Sequence, residues 1–152
     1  MAHPVDAGGS WASRAAERLT AAGYRLGGAR AAVLDLLDEQ PCALTAYEIE
    51  AALRGRGRAV GRASVYRVLD ELDELGLVTR VELGQSQARY EPARPDHHHH
   101  HLVCERCGAV VPFDDAGLER AIDALSRRVD FDVHGHDIVL RGACAACRGS
   151  LS

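Results

Sequence analysis

A chain of 152 residues and 16.3 kDa, 47% hydrophobic and 26% charged, holds one large domain or two small ones and is too apolar to be disordered throughout. No apolar run approaches the ~18 residues that cross a bilayer, and the first residues lack the basic flank and apolar core of a signal peptide, so a cytoplasmic protein with no membrane partner is expected. The formal charge of −4 excludes nucleic-acid binding through overall charge, so any such contact must come from a local patch among the 18 basic residues, all of them arginine.

Residues 1–91 read as helices followed by a hairpin, with 1–10 expected to be flexible. Ser10 is placed to cap a first helix reaching about Ala22, and Gly23 to stop it. A second helix follows Gly27-Gly28 with Val33, Leu36 and Leu37 on one face, and Pro41 ends the region. Thr45 and Glu48 form the T-x-x-E capping box of a third helix running to about Arg54. After the turn Gly55-Arg-Gly-Arg, a fourth helix runs from near Arg62 to Leu75. Its Val65, Val68, Leu69, Leu72 and Leu75 recur at helical spacing, and Gly76 follows it. Leu77 to Leu83 and Ala88 to Glu91 alternate as strands around Gly84-Gln85-Ser86. This order describes a winged helix-turn-helix, although a small helical bundle with an unrelated hairpin would share the pattern.

Arginine placement favours the winged helix. Between Glu50 and Asp70 stand Arg54, Arg56, Arg58, Arg62 and Arg67, and no acidic residue. They fall on the turn before the fourth helix and on its first turns, the positions that meet phosphates and base edges when such a helix enters a major groove. Ser64 and Tyr66 add hydroxyls there. These seven residues are the candidate contacts to double-stranded DNA.

From His97 the pattern changes. His97 to Val103 and Ala109 to Phe113 read as strands around a first cysteine pair. Asp114 or Asp115 caps a helix with Leu118, Ile122, Leu125 and Val129 at helical spacing, and Phe131 to His134 and Asp137 to Arg141 read as further strands. A unit this small has a thin core, which a metal ion and a partner subunit would both reinforce.

Four of the five cysteines form two Cys-x-x-Cys pairs, Cys104/Cys107 and Cys144/Cys147. Four thiolates close a tetrahedral Zn²⁺ shell with no open position, which makes the expected site structural. In an extended run His97 to His101, alternate imidazoles point to opposite faces, His98 and His100 to one and His99 and His101 to the other. One strand can therefore serve two metal sites. Each needs further ligands, for which Glu91, Glu119, His134, His136, Cys42 and Asp96 are candidates. No phosphate-binding glycine loop and no H-E-x-x-H occurs, so no enzyme is expected. A metal-storage or metallochaperone protein using the histidine run is the alternative to a DNA-binding regulator.

In these segments the chain resembles the ferric uptake regulator (Fur) family of metal-sensing bacterial repressors. The resemblance rests on Ser64-Val-Tyr-Arg-Val-Leu, Gly76-Leu-Val, the histidine run followed by Leu-Val-Cys104-x-x-Cys107-Gly, and Cys144-x-x-Cys147. It implies an α+β protein with an N-terminal winged helix-turn-helix DNA-binding domain over 1–91, a hinge over 92–96 and a small α/β metal-binding dimerisation domain over 97–152. It also implies a homodimer that binds a palindromic operator when loaded with metal and represses metal-homeostasis genes. Three metal sites follow from it: structural zinc on Cys104, Cys107, Cys144 and Cys147; a dimerisation-domain site on His98, His100, Glu119 and His136; and a sensory hinge site on Glu91, His99 and His101 with Cys42. Many iron-type relatives place a histidine where Ala43 stands beside Cys42, and some carry a carboxylate where Pro112 stands. Mixed nitrogen and oxygen donors suit Fe²⁺, Mn²⁺, Ni²⁺ or Zn²⁺, and a thiolate tilts the hinge site toward Zn²⁺. Zinc or iron is the expected sensed metal.

Overall fold

The computed structural model describes residues 9–40, 42–84, 87–94 and 98–149. The chain divides into two compact units, Met1–Pro95 and Asp96–Ser152. The first contains α1 (Trp11–Ala21), α2 (Gly28–Glu39), β1 (Leu44–Thr45), α3 (Ala46–Gly55), α4 (Arg62–Glu74), β2 (Val78–Val81) and β3 (Arg89–Pro92).

Local chemistry sets most of these boundaries. The Ser10 hydroxyl accepts the Ser13 amide at the start of α1. At the start of α3, the Thr45 hydroxyl accepts the Glu48 amide at 3.1 Å while the Glu48 carboxylate accepts the Thr45 amide at 2.8 Å, completing the capping box. Gly76 adopts a φ of 67°, the left-handed conformation that lets the chain leave α4 for the wing. The helices bury Leu19, Leu36, Leu37, Ile49, Leu53, Val65, Leu69 and Leu72 in one core. The Trp11 indole donates to the Leu77 carbonyl at 2.9 Å, tying α1 to the base of the wing.

β1, β3 and β2 form an antiparallel sheet in that order, with Thr79 opposite Glu91 and Arg80 opposite Tyr90. Three helices, a fourth helix and an antiparallel wing make this unit a winged helix-turn-helix. β1, only two residues long, has no periodicity that sequence could reveal. β2 is shorter than the alternation from Leu77 to Leu83 suggests, and Gln85 and Ser86 lie outside the described residues, as do residues 1–8. β3 runs one residue past Glu91, to Pro92.

One ion pair fixes α4 against α2. Arg30 grips Glu71 with two hydrogen bonds, Nε to Oε2 at 2.7 Å and Nη2 to Oε1 at 2.8 Å, and its guanidinium lies 5.2 Å from the Tyr24 ring centre. Glu71 is 8% exposed on the packed side of α4.

The second unit contains β4 (His100–Cys104), β5 (Val110–Phe113), α5 (Ala116–Ser126), β6 (Val139–Gly142) and the short α6 (Ala145–Arg148). β4 lies in the middle of its sheet, antiparallel to β5 and parallel to β6. Asp115, not Asp114, caps α5, accepting the Leu118 amide at 2.7 Å. Phe131 to His134 is not a strand. The alternation of Phe131 and Val133 marks a strand only where a neighbour can pair with it, and the segment has none among the described residues. Phe131 is 76% exposed, and pairing with β4 begins only at Val139. α5 buries no residue, and Leu102, Val111 and Leu140, side by side across the three strands, are exposed.

Removing the guanidinium in Arg30→Ala leaves the Glu71 carboxylate covered and unanswered. We expect a loss of about 2 kcal/mol in urea unfolding of the winged-helix unit, the size of hydrogen bonds to a charged group.

Candidate metal centres and arginine face

β4 and β6 bring the two cysteine pairs together. Cys104 ends β4 directly opposite Gly142, and the Glu105 amide donates to the Gly142 carbonyl at 2.8 Å. Cys107 sits on the turn to β5, where the Gly108 amide returns to the Cys104 carbonyl and Gly108 takes a φ of 75°. Cys144 follows β6, and Cys147 lies on α6, which sequence patterning missed because it is one turn long. The four sulfurs lie within 4.8 Å of one another, with Cys107 Sγ and Cys144 Sγ 3.8 Å apart. Zn–S bonds of about 2.3 Å in a tetrahedron separate sulfurs by about 3.8 Å, so the donor set fits zinc. Its electrostatics point the same way. Backbone amides of Cys107 and Cys144 lower the Cys104 thiol to about 6, while the neighbouring sulfurs of Cys144, Cys107 and Cys104 push Cys147 up to about 12. Four thiolates cannot coexist this closely without a cation among them.

A second cluster forms at the other end of β4. His100 Nε2 is 2.6 Å from Glu119 Oε1, His136 Nε2 is 2.9 Å from Glu119 Oε2, and the Nε2 atoms of His98 and His136 are 3.1 Å apart. The Ile138 amide, just ahead of β6, donates to His100 Nδ1 at 3.2 Å and aims the buried ring at Glu119. Three imidazoles hold the Glu119 carboxylate below its ordinary range, the hydrogen bond from His100 first, then the nearby His136 and His98. With His98 Nε2 3.8 Å from Glu119 Oε1, these spacings bracket the ~3.3 Å that bonds of about 2.0 Å impose in a tetrahedral shell, so this donor set also fits a divalent ion. Of the ligands that patterning left open, Glu119 and His136 join the cluster. His134 stands apart, exposed beside Asp132, and Asp96 lies outside the described residues, as does His97.

His99, just ahead of β4, and His101 on it belong to neither cluster, ring centres 5.1 Å apart, and Pro112 of β5 pairs directly with His101. In the first unit, Cys42 precedes β1 and Glu91 lies on β3. Burial raises the Cys42 thiol, and the Glu91 and Glu48 carboxylates add to the rise, against the Ala43 backbone and Arg89. Arg89, donating to the Ala43 carbonyl at 3.2 Å and to Glu48 at 3.0 Å, binds β3 to this corner.

The arginine patch is not a bare positive surface. Arg54 and Arg62 both pair with Glu50, at 2.9 and 2.8 Å, Arg56 pairs with Glu39 at 2.7 Å, and Arg58 with Asp35 at 2.9 Å. Asp35 and Glu39 come from α2, too far along the chain for charge counting to see, and Glu50 stands just outside the acid-free window, one helical turn before Arg54. Arg67 is exposed on α4 with no ion pair among the described residues. Tyr66 is exposed beside it, and Ser64 is half-buried.

A sequence profile of the ferric uptake regulator family matches residues 21–141. The chain is 32% identical over 130 residues to the ferric uptake regulation protein of Vibrio anguillarum, covering 85% of this chain and 87% of that one. Its fold is similar to that of the Helicobacter pylori ferric uptake regulator Fur, described with three functional metal binding sites. The TM-score is 0.80 at 25% identity, over 93% of this chain and 94% of that one. A zinc uptake regulator complexed with zinc and DNA is also similar, with a TM-score of 0.56 at 29% identity over 91% and 93%.

A carboxyl held below its unfolded value stabilises the folded chain above that value, and the contribution is lost as pH falls through the lowered one. Chelated protein should therefore lose thermal stability below about pH 4.3, the unfolded carboxyl value. Glu119→Gln should flatten that part of the profile in a melting series across pH.

Proposed function

The chain belongs to the ferric uptake regulator family, and on that premise we propose that it is a metal-dependent repressor of metal-homeostasis genes that reads a palindromic operator as a homodimer. The family's members are metal-responsive transcriptional regulators, not enzymes. What carries the reading is the division of one histidine run into two imidazole pairs in a protein that also has a winged helix. His98 and His100 turn to Glu119 and His136, which leaves His99 and His101 as a second imidazole pair that this cluster does not use. A storage protein would use the same histidines but has no need of the winged helix.

Cys104, Cys107, Cys144 and Cys147 hold structural zinc, and His98, His100, Glu119 and His136 hold a second ion. The hinge assignment, His99 and His101 with Glu91 and Cys42, rests on the sequence resemblance. A divalent ion there supplies positive charge and bonds to donors from both units. Three sites match in number those described for the Helicobacter pylori protein. Zinc or iron is the sensed metal, and a Cys42 thiolate selects zinc.

Dimerisation is supported by the second unit's surface. Leu102, Val111, Leu125, Val129, Phe131 and Leu140 are all exposed there, and a second copy covering them would gain about 25 cal/mol per Å² of apolar surface buried. For DNA, α4 offers Ser64, Tyr66 and Arg67, and the flanking turn offers Arg54, Arg56, Arg58 and Arg62. The zinc uptake regulator of similar fold was solved with DNA. Ligands drawn from both units make the DNA-competent form depend on occupancy, and by linkage DNA tightens the ion in return.

Operator binding titrated with metal should rise roughly 5–150-fold between chelated and loaded protein, the usual range of such coupling. Equal binding by both forms at matched ionic strength overturns the reading. His99→Ala or His101→Ala should abolish the response while elemental analysis still finds the sulfur-bound zinc. Cys104→Ser should lose that zinc and, with it, the dimer in sedimentation.

A further inference from the structure

The arginine face carries a feature that DNA binding alone does not require. Glu50 projects from α3 between two guanidinium groups, its Oε1 accepting from Arg54 Nη2 at 2.9 Å and its Oε2 from Arg62 Nε at 2.8 Å. Its side chain is 12% exposed, whereas those of Arg54 and Arg62 are 69% and 56% exposed. The carboxylate is thus wrapped by cations that themselves face solvent. Arg62 also lies 5.4 Å from the Tyr47 ring centre, which holds it in place over α3. The two neighbouring pairs are looser, because Glu39 and Asp35 are themselves more than half exposed and swing into solvent readily.

We propose that Glu50 is an internal phosphate mimic that restrains sequence-independent DNA binding by occupying Arg54 and Arg62. The proposal rests on the reading of this unit as DNA-binding. Two oxygens sharing one negative charge and accepting from two guanidinium groups reproduce what a backbone phosphate offers. A duplex gains affinity for arbitrary sequence by releasing counterions when cations neutralise its phosphates. An arginine already neutralised inside the protein releases fewer, since a phosphate that recruits it must displace or share Glu50. Arg67, without an ion pair among the described residues, contributes its full charge, and Ser64 and Tyr66 beside it contribute hydrogen bonds that do not depend on net charge. Glu50 therefore determines how much of the arginine face acts as undirected attraction for DNA.

The test uses full-length, metal-loaded protein and a labelled duplex of scrambled sequence, with affinity measured by fluorescence anisotropy over a potassium chloride series. Glu50→Gln keeps the shape and one accepting oxygen but removes the charge. It should bind the scrambled duplex about fivefold more tightly, the upper range for one exposed ion pair. Its log affinity should fall more steeply with log salt, by up to about 0.9 for each protomer on the DNA. Unchanged or weaker binding with an unchanged slope overturns the proposal and makes Glu50 a structural residue of α3. If Glu50→Gln fails to fold by circular dichroism, the converse comparison decides. Arg67→Gln should flatten the salt dependence of the wild-type protein more than Arg54→Gln does, and equal flattening overturns the proposal. A wild-type protein that binds no duplex at all, including the best sequence selected from a random pool, sinks the DNA-binding reading itself and this inference with it.

Discussion

The parallel pairing of β4 with β6 is the contact on which the second unit depends. It sets Cys104 opposite Gly142, so the cysteines that follow β6 reach those that follow β4. It also brings Ile138 to His100, so that His136 reaches Glu119. One ladder of backbone hydrogen bonds thereby assembles a sulfur cluster at one end of a five-residue strand and an imidazole–carboxylate cluster at the other. The pairing closes a long crossover through α5, and closing such a loop costs entropy that local contacts must offset. Few apolar groups are available for this, because α5 buries no residue and the sheet's central row is exposed. On the proposed reading, a cation held by each donor cluster supplies the missing stabilisation, since an ion bound only in the folded state adds its binding free energy to folding.

The first unit works by the opposite logic. Its helices share a continuous apolar core, and its charges refine the fold rather than create it. Arg30 and Glu71 register α2 against α4, and Arg89 and Glu48 register the wing against the start of α3. A frame that keeps its shape without an ion can hold α4 ready, so that occupancy elsewhere changes how the frame is used and not whether it forms.

What could be read from the sequence was local. The capping box, the cysteine pairs and the alternation of the histidine run lie within a few residues of one another, and hydrogen-bonding geometry at that range is nearly independent of the rest of the fold. The choice of His136 over His134 was not legible from pattern. Both are histidines two residues apart before a strand, and only the β4–β6 register turns one toward Glu119 and leaves the other beside Asp132. The alternation of Phe131 and Val133 misled for a related reason, because an apolar alternation states which side chains seek cover and not what covers them. Family resemblance, rather than spacing, supplied Glu119 and His136 as a pair.

Charge was the least legible property. Counted along the chain, Glu50 to Asp70 is a block of five positive charges. In space, three carboxylates from α2 and α3 meet four of them. Helices that cross in a core bring their exposed rims together at separations that no sequence window spans, so a patch's field depends on packing as much as on composition. This limits what a net positive run says about affinity. Pairing lowers the counterion release that each arginine contributes without removing its ability to contact a phosphate that arrives in the right place. Under the proposal that this face meets DNA, its paired arginines attract DNA weakly at a distance and contact it fully on docking. That behaviour suits a regulator that must leave most of the DNA it meets.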